Sequence, residues 1–176
     1  MEEIYVRGKK VLLSIDMDGV TAKWKEVSRS EYSTPGYFIG LEAQENLIGA
    51  IRELANDQNA DFQMCITSHV INEVAKEEKK AWNAIEDIVI PQIYPMYGSS
   101  KAEALKEEFN LDEDTICIHL DDFTKNLREW QSHGDNFIGI KWLNGINGTH
   151  GTWDGLTLSY KASKEELLKQ LRLLVG

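Results

Sequence analysis

The chain has 176 residues, 42% of them hydrophobic, and carries 19 basic against 29 acidic side chains for a formal charge of -10. That length fits one domain, residues 1–176, with room for a small insertion. The negative field disfavours polymeric nucleic acid and anionic membranes, which both demand cationic surface, but a small phosphorylated substrate stays open because a bound cation reverses charge locally.

The opening residues Met1 to Lys10 hold no secretory hydrophobic segment. No apolar run approaches the ~18 residues of a membrane span, so a cytoplasmic location is expected. Val11-Leu12-Leu13-Ser14-Ile15 then reads as a buried strand. Behind it, Val20 to about Glu45 is aromatic and turn-rich, with Trp24, Tyr32, Thr34-Pro35-Gly36, Tyr37 and Phe38, and reads as a small cap over the sheet edge at about residues 21–45.

Leu47, Ile48, Ile51 and Leu54 recur at helical spacing, and Phe62 to Ile66 forms a second strand. Val70, Val74, Trp82 and Ile85 predict the core face of another helix, and Ile88 to Tyr94 is a weaker strand. A further helix starts at Lys101, with Ser100 and Glu103 spaced as a capping box. Strands follow at Ile116 to Leu120, Phe137 to Trp142 and Leu156 to Tyr160, and the last helix carries Leu167, Leu168, Leu171 and Leu174 behind a capping box at Ser163 and Glu166. Cys65 and Cys117 lie inside apolar runs without metal or redox spacing and read as reduced, buried thiols.

Alternating strands and helices imply an α/β fold, a three-layer parallel sheet with helices on both faces. Ligands in such sheets bind beyond the carboxyl ends of the strands. Those ends are polar here: Asp16-Met17-Asp18-Gly19 after the first strand, Thr67-Ser68-His69 after the second, and Asp121-Asp122 after Ile116 to Leu120. Carboxylates converging on one edge repel one another and recruit a cation. An oxygen-only donor set suits Mg²⁺, which keeps its other positions for water and phosphate. A calcium loop of the EF-hand type is excluded, since its glycine belongs at position six and Gly19 would be fourth. Lys101, at a first helical position, opposes the helix dipole unless it is simply solvated or shares an anion with the helix end.

Asp16, Asp18, Thr67, Lys101, Asp121 and Asp122, in this order, resemble the four motifs of the haloacid dehalogenase (HAD) superfamily of phosphotransferases. Asp16-Met17-Asp18-Gly19-Val20, with Trp24, Pro35-Gly36-Tyr37-Phe38 and Thr67-Ser68, is similar to its 5'(3')-deoxyribonucleotidase branch, although His69 stands where that branch often has proline and Lys23 where it often has an acid. The resemblance implies an HAD-like Rossmannoid fold and a Mg²⁺-dependent phosphatase. Asp16 would be the nucleophile, Asp18 the general acid and base, Thr67 a phosphoryl contact and Lys101 a charge-offsetting group. Mg²⁺ would be held by Asp16, the Asp18 carbonyl, and Asp121 or Asp122. It also implies that Trp24 and Phe38 stack on a nucleobase, beside Ser68, unless those rings pack the cap's own core.

The substrate expected is a small phosphomonoester, a nucleoside monophosphate first and a sugar phosphate or other metabolite second. A non-catalytic binding or scaffold protein is the reading of another class. The loop Asn144 to Thr152 reads as a plain connection, or as a pocket wall carrying His150.

Overall fold

The computed structural model describes residues 8–58, 61–147 and 153–176. The strands are β1 (Val11–Ile15), β2 (Phe62–Thr67), β3 (Gln92–Ile93), β4 (Ile116–Asp121), β5 (Phe137–Leu143) and β6 (Leu156–Ser159). The helices are α1 (Arg29–Tyr32), α2 (Glu45–Ala55), α3 (Glu73–Ile85), α4 (Lys101–Phe109), α5 (Thr124–Gln131) and α6 (Lys164–Val175). The strands form one sheet in the order β3-β2-β1-β4-β5-β6, and every pairing is parallel.

Side chains alternate across a strand, so each strand feeds two layers. Leu12, Cys65, Cys117 and Phe137 pack on one face with Ala102 and Leu105 of α4 and Trp130 of α5. Leu13, Ile15, Met64, Ile66, Ile118 and Leu120 pack on the other with the apolar stripes of α2 and α6. The result is a three-layer Rossmann-like α/β fold with both faces covered, which is why β1 is buried at all five positions. α6 opens as the capping box predicts: the Ser163 hydroxyl accepts from the Glu166 amide at 3.2 Å and Glu166 accepts from the Ser163 amide at 2.8 Å. Both cysteines are free and buried, and burial pushes each thiol up to about 12.

Two expectations need correcting. The inward stripe of α3 is Ala75, Lys79, Trp82 and Asn83, whereas Val74 is 46% and Ile85 69% exposed. The cause is the helix start. Asn72 caps it by accepting from the Ala75 amide at 2.8 Å, so Val70 lies outside the helix and bridges Met96 instead. The segment Ile88 to Tyr94 pairs only at Gln92–Ile93; Asp87 turns with φ 51°, and Pro91 has no amide to donate. Ile88 and Ile90 are buried all the same, as loop residues.

The segment after β1 leaves and returns through a narrow neck. The Lys23 amide donates to Glu42 O at 2.7 Å and the Gln44 amide to Thr21 O at 2.8 Å. Inside it, rings pack in series: Trp24 on Tyr32 at 5.3 Å, Tyr32 on Tyr37 at 5.2 Å and Tyr37 on Phe38 at 4.8 Å. Glu78 of α3 fastens the far end, its carboxylate accepting from the amides of Gly36, Phe38 and Ile39 at 2.5, 3.0 and 3.4 Å. No helix among the described residues is long and apolar enough to cross a membrane.

Candidate active site at the carboxyl edge of the sheet

β1 and β4 are neighbours in space but not in sequence, which makes the crevice between their carboxyl ends the switch point where open α/β sheets bind ligands. Asp16 extends β1 by one residue, its amide donating to Leu120 O at 2.9 Å, and so stands beside Asp121. Carboxylate oxygens of Asp16, Asp121 and Asp122 lie within 4.8 Å of one another. Lys101, the first residue of α4, reaches between two of them, with Nζ 3.1 Å from Asp16 Oδ1 and 2.7 Å from Asp121 Oδ2. The helix start is held by the Ser100 hydroxyl, which accepts from the Glu103 amide at 3.1 Å.

Asp121 is saturated. Its Oδ2 accepts from Lys101, from Asn126 Nδ2 at 3.0 Å and from His119 Nε2 at 3.0 Å, while Oδ1 accepts from the Phe123 amide at 2.8 Å. Burial alone would raise this carboxyl, but Lys101 and His119 outweigh it and hold Asp121 well below the usual range. For Lys101, burial works against the charge, yet Asp121 and Asp16 together raise its pKa.

The β1 side differs. Asp18 Oδ1 is buried and makes no hydrogen bond, and Asp16 Oδ1, equally buried, has the Lys101 ammonium at 3.1 Å as its counter-charge. Asp122 sits well above the ordinary carboxylate range because it is buried next to Asp121 and Asp16. Asp18 is raised too, first by burial and also by Asp16, with Lys79 opposing. Buried carboxylates facing one another are costly even with Lys101 and Lys79 beside them. An oxygen-only cluster of this kind fits Mg²⁺, and since both oxygens of Asp121 are engaged, Asp122 is the member of the pair with a carboxylate oxygen to spare.

Gly19 is required at this turn. It has φ +76°, and a Cβ there would lie 2.2 Å from Asp122 Oδ2.

Several expected residues take other duties. Ser68 is fully buried and accepts from Lys79 Nζ at 2.9 Å. Phe38 is 5% exposed and covers the same Lys79, 4.5 Å from the ring centroid, which argues against stacking on a nucleobase. Trp24 is only half-buried. Thr67 is fully buried and bonds the Ser14 hydroxyl at 2.9 Å. Beyond Ser99 O, which its Nε2 contacts at 2.8 Å, His69 meets the exposed ring of Tyr97 edge-on at 5.9 Å; burial and then Lys101 lower its pKa.

The loop after β5 is more than a connection. Asn144 Nδ2 donates to Gly19 O at 2.9 Å and to Asp122 Oδ2 at 3.0 Å, and Asn147 Nδ2 donates to Asp122 O at 3.1 Å. His150 lies outside the described residues.

Lys79, His119, Ser14, Asn126 and Asn144 were not foreseen as site residues. Lys79 is fully buried and donates to Asp18 Oδ2 at 2.5 Å, Ser68 Oγ at 2.9 Å and His69 O at 2.7 Å. A signal existed for two of the others: Ser14 and His119 are polar breaks in otherwise apolar strands, each two residues before a tip aspartate and so on its face.

Comparison with known proteins adds the fold. No family model matches the chain, and no curated protein sequence matches it. Among solved structures, a chain in the structure of the Pnkp1/Rnl/Hen1 complex superposes with TM-score 0.53 at 12% identity, covering 77% of this chain and 46% of that one. DsGPDH of Dunaliella salina superposes with TM-score 0.51 at 15% identity, covering 89% of this chain and 28% of that one. This chain therefore spans less than half the length of either relative. At such identities the likeness is one of fold alone.

Proposed function

We propose that the protein is a Mg²⁺-dependent phosphomonoester hydrolase that works through an aspartyl-phosphate on Asp16. The observation that carries this reading is the buried carboxylate cluster: Asp18 Oδ1 without a hydrogen bond, Asp16 paired through Oδ1 with Lys101 at 3.1 Å, and the raised Asp122 beside them. Such a cluster is poorly satisfied alone and well satisfied by a divalent cation and a phosphoryl group. The carboxylates of Asp16 and Asp122 and the main-chain carbonyl of Asp18 would hold the ion, which when bound neutralises phosphoryl charge.

An Asp16 oxygen attacks phosphorus and the bond to the leaving oxygen breaks. Asp18 gives its proton to that oxygen and then takes one from the water that attacks the phosphorus of the intermediate, so phosphate leaves and Asp16 is restored. Lys79 occupies Oδ2 of Asp18, which leaves Oδ1 as the atom that carries the proton. Lys101 pairs with Asp16 and holds it in place, and the Thr67 hydroxyl contacts the transferring group.

The substrate is a small phosphomonoester, with a nucleoside monophosphate the first to test. The burial of Phe38 leaves Trp24 as the ring available to a base and brings sugar phosphates and other metabolites level as the second reading.

Phosphate release from an aryl phosphate tests the reaction. Turnover should require Mg²⁺ and fall by on the order of 10⁴ or more in Asp16→Asn. Equal turnover in that variant, or none in the wild type with Mg²⁺, overturns the proposal.

A further inference from the structure

Beneath the site lies a buried polar chain whose two inner members, Ser14 and His119, the proposed chemistry does not use. Thr67 Oγ1, Ser14 Oγ, His119 and Asp121 Oδ2 follow one another at 2.9 Å, 2.9 Å (to Nδ1) and 3.0 Å (from Nε2). All four residues are fully buried. The sheet produces the chain by register. Ser14 on the central strand pairs with Cys65 of β2 on one side and His119 of β4 on the other. Two residues further on, on the same face, Thr67 and Asp121 end their strands. The imidazole is held by stacking on Trp130 at 4.7 Å, and Trp130 is fixed by its Nε1 donating to Cys117 O at 3.1 Å.

Serine, histidine and aspartate in this order form the bonding pattern of an activated nucleophile. That role fails here, because Ser14 lies two residues short of the strand tips, with its hydroxyl held between Thr67 and His119. What the chain can do is orient. Ser14 gives its single hydrogen to Thr67, so His119 donates to Ser14 from Nδ1, and the hydrogen of Thr67 itself is left for a bound acceptor or for Cys65 Sγ at 3.5 Å. At the other end a carboxylate can only accept, so His119 donates to Asp121, whose same oxygen holds Lys101.

We infer that Ser14 and His119 are positioning residues, linking through one buried hydrogen-bonded chain the hydroxyl that contacts the phosphoryl group and the carboxylate that holds Lys101. Unlinked groups would relax separately; linked, they present a hydroxyl donor and an ammonium donor in fixed relation to Asp16. The inference rests on the phosphoryl-transfer reading.

The experiment is a double-mutant cycle on Ser14→Ala and Thr67→Val, read as kcat and KM for Mg²⁺-dependent aryl phosphate hydrolysis and as affinity for inorganic phosphate by calorimetry. Ser14→Ala alone should lower kcat by roughly tenfold, about the worth of one hydrogen bond, with a smaller change in KM. In the Thr67→Val background it should have no further effect. His119→Asn breaks the chain one link lower; it should repeat the coupled loss and serves if Ser14→Ala folds poorly.

Additive effects in a protein that does turn over substrate would sink the positioning role while the phosphatase reading stands. If the wild type neither turns over aryl phosphate nor binds phosphate, the phosphatase reading fails and takes this inference with it. If it binds phosphate without turnover, the phosphatase reading fails and the same cycle in affinity decides the chain as a phosphate-positioning device: coupled losses uphold it and additive losses overturn it.

Discussion

The two flanks of the site solve the same problem in opposite ways. On the β4 flank, Asp121 has four donors on its two oxygens and a carboxyl held well below the usual range. On the β1 flank, Asp18 keeps a buried oxygen without a donor, Asp16 has only a share of the Lys101 ammonium that Asp121 also binds, and Asp122, one residue beyond Asp121, sits well above that range. The first arrangement is a finished structural joint, whereas in the second three carboxylates, Asp16, Asp18 and Asp122, share two ammonium groups, Lys79 and Lys101. Counting acidic residues would rank Asp121 and Asp122 as equals; counting donors separates the one that ties the site together from the one proposed to meet the ion.

The sharpest way to break this comparison is to neutralise each neighbour in turn. Asp121→Asn should destabilise the Mg²⁺-free protein by about 3–5 kcal/mol, because it strips a buried lysine of a partner. Asp122→Asn should raise the melting temperature of the Mg²⁺-free protein and abolish its response to Mg²⁺. Shifts of the same sign in both variants would erase the distinction. Gly19→Ala should weaken Mg²⁺ binding by about tenfold or more in calorimetry, since the new methyl occupies the place of the Asp122 carboxylate. Unchanged affinity would remove Asp122 from the ion's surroundings.

The flanks also carry opposite pH signs. Asp122 and Asp18 are raised in the fold, so the folded state keeps protons that the unfolded chain has released. Their contribution to stability is present at low pH and is lost as pH rises from about 4 through their folded values. Asp121 is lowered; its contribution is present above about 4 and is lost only as pH falls through its depressed folded value. Thermal melts without Mg²⁺ should therefore show stability falling as pH rises above about 4, with a flatter curve in Asp122→Asn and a Mg²⁺-induced gain that grows with pH. The smallest effect belongs to the cap. Trp24→Ala should change the ratio of nucleotide to sugar-phosphate turnover by a few-fold, about one stacking contact, and an unchanged ratio would take the ring out of substrate choice.

Much of the arrangement could be read from the chain alone, since apolar runs with period-two and helical spacing mark β1, β2, β4, α2 and α6, and polar tips on those strands mark the site edge. What stayed hidden has two physical causes. Hydrophobic periodicity assigns helix faces by apolar residues, so it passes over Lys79, a buried cation whose three acceptors come from Asp18, Ser68 and His69, and it turned α3 toward Val74 and Ile85. Long-range hydrogen bonds leave no local pattern: nothing around Asn144 announces that its amide joins Gly19 to Asp122 across 125 and 22 residues. The pairing of Asp121 with Lys101 is of that kind as well, the two standing 20 residues apart.

The most direct test of the central claim is fluorine NMR of the protein with Mg²⁺, beryllium and fluoride, which together mimic a phosphorylated carboxylate. Slowly exchanging bound-fluoride signals should form in the wild type and persist in Trp24→Ala, yet be missing from Asp16→Asn. Bound signals in Asp16→Asn equal to those of the wild type, or none in the wild type at saturating Mg²⁺, would contradict Asp16 as the phosphoryl acceptor.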